Sequence, residues 1–595
     1  MSESARNRHK LIAVSLITIL AMAAYWNTLP NDFVAGDLQF VRNNPHVGNL
    51  DAVYKSFVSD YWKSLGGEAF LYYRPLVVLT HFFDVKLYGL QPGGHHFSNM
   101  LYHVMATLLV YQLLLRLLAF RVAPAAIGSI LFAVHPIHTH SVSYVVGRTD
   151  ILATIFYLAA LLLLIDGLRN GHGRMPWGKS IAAGLCFLLA LLCKEMAVTL
   201  PLVLVCLSVC TDGGYQRLKE PRLWIMCAIL GGILICYALL RSQAVGFSNA
   251  EEIVWAQYSL LQRISLVFVT LGFYVTKLLL PVHLCYFADF TVPGSWQEVV
   301  TSGLFWTGIA FCIVLLAALA RPALLSLAVL WIGITLLPVL NIIRIAALAK
   351  ENFLYLPSVG FCVLFAVAAA YWFQAARTRA VIYPLLGLVG AAYLTMTIER
   401  NREYAHPVLF LEETLQDMTP VPEAARKELR FFDQVKNFYV VYFNLGNLYH
   451  QREEWDKAAA ALTSALSYMP AYFPAERRAR ALFTLGIVEE KRGNLDAANT
   501  ALLQAREASP RRSDVDVMLG LVAVRQGRMD EAETYFKRAI SENPANVKAH
   551  FNLGLVYRDT GRLEEFRAEL QEASRLDSAA RGMPEADNEQ APSLP

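Results

Sequence analysis

Apolar runs long enough to cross a bilayer recur along the first two thirds of the chain and then stop. A helix needs about 20 mainly apolar residues to cross. Candidate spans lie at 11–29, 99–119, 122–134, 151–168, 180–193, 196–212, 223–241, 260–281, 302–320, 323–342, 354–374 and 380–398. After residue 398 charged residues are dense and no run has spanning length. The pattern predicts an all-α chain: a polytopic membrane helix bundle over 1–398, then a soluble domain.

Short loops rich in Lys and Arg mark the cytoplasmic side of a membrane protein. Here they are the N-terminal tail, 116–121, 169–179, 217–222, Arg321, and Arg377 with Arg379. This assignment places four polar segments together on the other face: 30–98, 135–150, 194–195 and 350–351. Twelve crossings would return the C-terminus to the cytoplasm, whereas the basic loops place it outside. One of the twelve candidate spans must therefore fail to cross. The best candidate is 260–281, which carries Arg263 and Lys277 and ends at Pro281.

A repeat organises the C-terminal region. Leu-Gly pairs occur at Gly446, Gly486, Gly520 and Gly554, and the last two intervals are 34 residues, the tetratricopeptide period. We predict a connector over 399–438, about four tetratricopeptide repeats in an α-solenoid over 439–578, and a disordered tail over 579–595. The first interval is 40 residues, with the extra residues expected near 472–474.

Such repeats form a concave groove that binds extended segments of other proteins. Three basic residues fall on first-helix positions that usually face this groove: Arg480, Lys548 and Arg558. The alternative is that they are solvated surface charges. The net charge of +4 is small and spread along the chain, which gives no case for a nucleic-acid partner.

The segment from His135 to His140, followed by Arg148 and Asp150, lies between two apolar spans. Ionisable groups near a bilayer are costly, so they usually line a pocket or a polar path. A solvated turn is the alternative, but similar groups recur at the same predicted face, at Lys194, Glu195 and Glu351. We predict a site for an anionic ligand. We expect no metal there, because His135 and His138 beside a proline do not have the usual ligand spacing.

These residues resemble a known family. The matching segments are Phe33-Val34-x-x-Asp37, Tyr73-Arg74-Pro75-Leu76, His95 to His103, Leu131 to His138, Gly147-Arg148-x-Asp150, Cys193-Lys194-Glu195, Leu337 to Asn341, and Glu351 with Leu354 to Ser358. In this order, followed by the repeats, they look like the transmembrane and tetratricopeptide-repeat-containing O-mannosyltransferases and their bacterial relatives. That family has the class C glycosyltransferase architecture. This chain departs from its pattern at Gly36, where a second acid is usual, and at Asn352, where arginine is usual.

The resemblance implies an inverting membrane glycosyltransferase that takes a sugar, mannose in the family, from a polyprenyl-phosphate carrier on the non-cytoplasmic face. It implies Asp37 as the general base. The residues expected around the donor and its phosphate are Arg74, His135, His138, Arg148, Asp150, Lys194, Glu195, Glu351 and Tyr355. Each cation could equally be a structural ion-pair partner, for example Arg148 with Asp150.

The expected acceptor is a protein Ser or Thr hydroxyl or an envelope glycan, held through the repeats. The lipid-linked sugar is a substrate, and no cofactor is expected. The expected location is a bacterial inner membrane with the repeats in the periplasm. Gly36 and Asn352 leave open an inactive, membrane-anchored repeat scaffold. A transporter for a lipid-linked sugar is a third hypothesis, but it would need polar residues through the depth of the membrane.

Overall fold

The computed structural model describes residues 3–60, 72–169, 177–211, 214–245, 257–288, 290–342, 347–372, 376–469 and 473–581. Every regular element in these ranges is a helix, which confirms the all-α prediction. The chain divides into two compact units, Met1–Thr419 and Pro420–Pro595. The division falls within the segment predicted to be a connector.

The first unit contains the long apolar helices. Its helices are α1 (Glu3–Tyr25), α2 (Leu50–Ser56), α3 (Pro75–Tyr88), α4 (Pro92–Leu117), α5 (Val122–Val134), α6 (Thr139–Val142), α7 (Arg148–Arg169), α8 (Trp177–Cys193), α9 (Leu200–Cys210), α10 (Pro221–Val245), α11 (Leu260–Leu279), α12 (Trp296–Thr301), α13 (Gly303–Ala320), α14 (Leu324–Leu336), α15 (Ser358–Trp372), α16 (Ala376–Arg400) and α17 (Pro407–Gln416).

Within the described residues, seven helices are long and apolar enough to cross a bilayer, or eight if the bent pair of α5 and Pro136–Val142 counts as one span. Four shorter apolar helices accompany them, at Trp177–Cys193, Glu195–Cys210, Leu324–Val339 and Ser358–Tyr371. The chain is therefore a membrane protein, and its apolar helices coincide with the predicted spans.

Helix α11 covers the segment predicted not to cross. It begins with a capping box, in which Ser259 and Gln262 exchange side-chain and backbone hydrogen bonds. Its length and composition are those of a spanning helix. Gly272 and Gly308 let α11 and α13 approach closely, because a Cβ on either glycine would overlap the backbone of the other helix.

The chain bends by 46° after α5, at His135. The Nδ1 atom of His135 accepts a hydrogen bond from Ile137 N, and Pro136 occupies the first position of the next short helix, where its missing N–H is harmless. At the far end of the segment, a Cβ on Gly147 would lie 2.5 Å from the His140 carbonyl oxygen. Glycine is therefore required where the turn folds back before α7 begins.

The second unit is a series of helix pairs. They are α18 (Phe432–Gln451) with α19 (Trp455–Ser467), α20 (Ala475–Lys491) with α21 (Leu495–Ala508), α22 (Ser513–Arg525) with α23 (Met529–Glu542), and α24 (Val547–Asp559) with α25 (Leu563–Arg581). In the second pair, for example, a Cβ on Gly486 would lie 2.6 Å from Leu502 Cγ. The repeated Leu-Gly pairs thus mark where two helices meet. Most of the predicted tail, 582–595, lies outside the described residues.

Candidate active site

Asp37 closes a turn after the first predicted span. Its backbone N–H donates to the Val34 carbonyl oxygen, and its Oδ2 atom accepts from Val34 N at 3.3 Å. Its carboxylate also accepts from Val145 N at 3.2 Å and from Val146 N at 2.8 Å. These hydrogen bonds therefore hold the segment that ends at Asp37 against the turn that precedes α7. Asp37 itself has no exposed surface.

The electrostatics of Asp37 reflect this enclosure. Burial raises the pKa of its carboxyl to about 7, while the three backbone N–H donors and the positive charge of Arg148 act in the opposite direction. Removal from water thus outweighs four favourable interactions with the anion. A carboxyl group that titrates near neutral pH is suited to proton transfer.

Arg148 begins α7 and is fully buried. Its Nη2 atom lies 2.6 Å from Asp84 Oδ2 on α3, and its Nε donates to the Val145 carbonyl oxygen at 3.3 Å. Arg148 does not pair with Asp150, contrary to the pairing that the sequence suggested. The guanidinium therefore shares the 145–146 turn with Asp37.

Asp150 is held by two other predicted loops of the same face. Its Oδ1 atom accepts a hydrogen bond from the Lys194 ammonium, and its Oδ2 accepts from Asn352 Nδ2 at 2.8 Å. Burial lowers the pKa of Lys194, and the Asp150 charge opposes that shift. Nearby along the chain, Glu195 Oε2 lies 3.2 Å from Arg74 Nη2.

Glu351 is buried beside Asn352. Its Oε1 atom accepts from Cys285 N at 2.6 Å, and its Oε2 lies 2.7 Å from Arg400 Nη2, at the end of α16. Burial raises the pKa of Glu351, and Arg400 opposes that shift. Arg400 and Asp84 were not predicted from the sequence. Neither lies in a motif, although a charged residue at the end of an apolar helix was an available signal for Arg400.

His135, His138 and Tyr355 form a separate, fully buried group with His103. The Tyr355 hydroxyl is 2.7 Å from His103 Nδ1, and His138 Nε2 is 2.9 Å from Ser358 Oγ. Both ring nitrogens of His135 are used within the protein, by Leu278 O and by Ile137 N. These contacts make the group part of the packing between α4, the bend after α5 and the start of α15.

The structure thus sorts the residues predicted from sequence into three sets. An ionic set meets around the 145–150 segment and its partners: Asp37, Arg74, Arg148, Asp150, Lys194, Glu195 and Glu351. The histidine and aromatic set packs around His103 and makes its hydrogen bonds apart from these ion pairs. The third set belongs to the second unit, where Arg480 lies on α20, Lys548 and Arg558 lie on α24, and all three are exposed.

The chain is similar to known proteins both in its repeats and over most of its length. Tetratricopeptide repeat family models match residues 441–470 and 517–581. The chain is 28% identical over 388 residues to the protein O-mannosyl-transferase F38B6.6 of Caenorhabditis elegans, covering 62% of this chain and 51% of the relative. It is 24% identical to the protein O-mannosyl-transferase TMTC3 of Mus musculus, covering 78% and 56%. Against Tmtc2 of Drosophila melanogaster it is 34% identical, covering 44% and 28%.

The chain is thus a helical membrane protein with tetratricopeptide repeats. Its curated relatives are protein O-mannosyl-transferases, which confirms the resemblance seen in the motifs. The chain spans about half the length of the first two of these relatives. Among solved structures it is similar to MamA, with 19% identity, a TM-score of 0.23, and coverage of 28% of this chain and 99% of that one. It is also similar to YrrB, with 19% identity, a TM-score of 0.23, and coverage of 35% and 90%.

Proposed function

We propose that the protein is a membrane glycosyltransferase that moves a sugar from a polyprenyl-phosphate carrier to a hydroxyl group of an acceptor protein on the non-cytoplasmic face. The observation that carries the proposal is the position of Asp37. Backbone amides of 145 and 146 hold its carboxylate, and the same short segment leads directly into Arg148 and Asp150. The candidate base, the buried cation Arg148 and, through Asp150, the Lys194 ammonium therefore belong to one structural unit.

In the proposed step, the acceptor oxygen attacks the anomeric carbon of the sugar, and the bond from that carbon to the phosphate oxygen breaks. Asp37 takes the hydroxyl proton, and polyprenyl phosphate leaves with the bonding electron pair. Basic side chains stabilise the negative charge that develops on the leaving phosphate. Because Asp37 is fully buried, the acceptor hydroxyl can reach its carboxylate only after a local rearrangement that exposes it.

Mannose is the first donor sugar to test, since the relatives are named O-mannosyl-transferases. The exposed basic side chains of the repeats are proposed to bind the acceptor protein. The repeats then lie on the same side of the membrane as Asp37, which for a bacterial inner membrane is the periplasm. No metal or cofactor takes part in the proposed step.

The test is donor consumption by the purified full chain in detergent, with a panel of polyprenyl-phosphate sugars. Both hydrolysis and transfer are scored, so the assay does not depend on finding the natural acceptor. Wild type is expected to consume one donor, and Asp37→Asn is expected to be inactive. The matched control is Asp32→Asn, since Asp32 lies in the same turn but pairs with Arg42 near the surface.

In Asp37→Asn, the side-chain NH₂ group would face backbone N–H groups that donate to the carboxylate in wild type. Two donors facing each other lower stability, so the melting temperature of each variant is measured together with its activity. An Asp37→Asn protein that is folded and fully active would remove Asp37 from the chemistry. If wild type consumes no donor but captures protein partners through the repeats, the scaffold interpretation replaces the enzyme.

A further inference from the structure

Arg400 supplies a guanidinium to Glu351 from the end of the last predicted span. Its side chain is 5% exposed, and its Nη2 atom is 2.7 Å from Glu351 Oε2. The family resemblance places an arginine at position 352, directly after this glutamate, but here Asn352 gives its amide to Asp150. Arg400 of α16 thus places a guanidinium beside Glu351, although position 352 holds no arginine.

The hydrogen bonding of Arg400 is incomplete. Within the described residues, its Nε and Nη1 atoms have no hydrogen-bond partner although both are buried. The carboxylate of Glu403 lies 3.6 Å from Nε, which is beyond hydrogen-bond distance. Burying a charged donor without an acceptor is costly, so this end of the guanidinium requires an acceptor.

Two more nitrogen donors lie close by. His140 is 2% exposed, and its Nδ1 atom has no hydrogen-bond partner among the residues described. Its ring stacks on Tyr286 with centroids 4.8 Å apart, and the Lys350 ammonium lies 5.6 Å from the centroid of the same tyrosine. The charges of Lys350 and Arg400 both act on His140. Ser143, three residues after His140, donates to Asn401 Oδ1 at 2.7 Å, and Lys350 directly precedes Glu351, the ion-pair partner of Arg400. The three side chains therefore lie on segments that pack against one another.

We propose that Arg400, Lys350 and His140 form the site that holds the phosphate of the lipid-linked donor. This rests on the proposed function. Phosphate oxygens accept hydrogen bonds only, and guanidinium and ammonium groups are their usual partners in proteins. Glu351 fixes the orientation of Arg400 by its ion pair.

The experiment compares Glu351→Gln with the double variant Glu351→Gln/Arg400→Gln. Neither variant leaves Glu351 as a buried carboxylate without its arginine, and the two variants differ only in the guanidinium. Binding of sugar-free polyprenyl phosphate is measured on the full chain in detergent, with neutral polyprenol and inorganic phosphate as comparisons. Wild type is expected to bind polyprenyl phosphate but not polyprenol, and Glu351→Gln, which loses the ion pair that orients Arg400, is expected to bind polyprenyl phosphate more weakly than wild type does. The double variant is expected to bind polyprenyl phosphate at least about tenfold more weakly than Glu351→Gln does.

Lys350→Met gives an independent measurement at a half-buried position, and it is expected to weaken binding several-fold. Equal affinity of Glu351→Gln and the double variant would overturn the proposal. If inorganic phosphate binds as tightly as polyprenyl phosphate, the site does not recognise the lipid. The assignment of the site to the lipid-linked donor is then overturned. If Arg400-dependent lipid binding is found but no sugar donor is consumed, the phosphate site stands and the proposed transfer fails. If the double variant consumes donor with the same KM as Glu351→Gln, the proposed transfer stands and the phosphate site fails.

Discussion

Arg148 and Asp84 form an ion pair whose Nη2 and Oδ2 atoms are 2.6 Å apart, and neither side chain is more than 3% exposed. The pair joins the start of α7 to α3, which lies in the polar segment 30–98. Asp84 also accepts a hydrogen bond from Ser98 at 2.7 Å, and Arg148 donates to the His95 carbonyl oxygen at 3.3 Å. The interaction therefore holds together the elements that carry the candidate site.

We expect Asp84→Ala to reduce the free energy of unfolding by about 3–5 kcal/mol, because it leaves a buried arginine without its carboxylate. Thermal unfolding in detergent measures the loss. The control is Asp166→Ala, which breaks the half-exposed pair with Arg116 and should cost about 1 kcal/mol or less. Equal losses of unfolding free energy in the two variants would show that the buried Arg148–Asp84 ion pair stabilises the fold no more than a partly exposed pair does.

Sugar transfer should rise with pH through the pKa of about 7 that burial gives Asp37. A base acts only after losing its proton, so the rate should be low below about pH 6 and reach a plateau above about pH 8. An ordinary carboxylate would place this limb near pH ~4. The pH profile of kcat/KM reports the free enzyme and checks the prediction. Asp32→Asn should keep the limb, and a flat profile across this range would exclude Asp37 as the titrating base.

Periodicity was enough to predict the architecture. Apolar runs located the helices of the first unit, and the spacing of Gly486, Gly520 and Gly554 located the helix pairs, because both signals are local. The positive-inside rule also grouped loops that the structure brings into contact. Asp150 meets Lys194, and Arg74 meets Glu195, across long stretches of chain.

The partners within the site could not be predicted in the same way. Asp84 and Arg400 act through contacts that depend on how distant helices pack, and neither lies in a recognisable motif. Composition also could not show which histidines lie near the ion pairs and which pack among aromatic rings. His135 and His138 were grouped with the cations because of their sequence neighbours, and in the fold the His138 ring packs against the rings of His135 and Tyr355.

Tyr355→Phe tests whether this interior group is structural. The change removes a hydroxyl that is 2.7 Å from His103 Nδ1, so we expect a loss of about 1–3 kcal/mol in stability with an unchanged KM for the sugar donor. Tyr111→Phe is the control, since among the described residues its buried hydroxyl has no hydrogen-bond partner and little should be lost. A raised KM at normal stability would instead support the donor contact that the resemblance implies.

Gly272→Leu should separate α11 from α13. A Cβ at position 272 would lie 1.9 Å from the Leu304 carbonyl oxygen, and a helix backbone cannot shift as a flexible side chain can. We expect a lowered melting temperature and poor recovery of folded protein after detergent extraction. Gly231→Leu in α10 is the matched control, because a Cβ there meets nothing within 4 Å. Equal behaviour of the two variants would mean that the close crossing is dispensable.

Lys548→Glu tests the repeats as the acceptor-binding surface. Lys548 is exposed on the first helix of its pair, where the concave groove is expected, and it lies in a different unit from Asp37. Reversal of its charge should raise KM for a protein acceptor several-fold and leave donor hydrolysis in the absence of acceptor unchanged. Arg567→Glu makes the same charge change at an exposed position on the second helix and should affect neither value. If both variants raise KM equally, the effect is one of net charge. If neither does, the acceptor is not held through Lys548, and the other groove candidates, Arg480 and Arg558, are tested next.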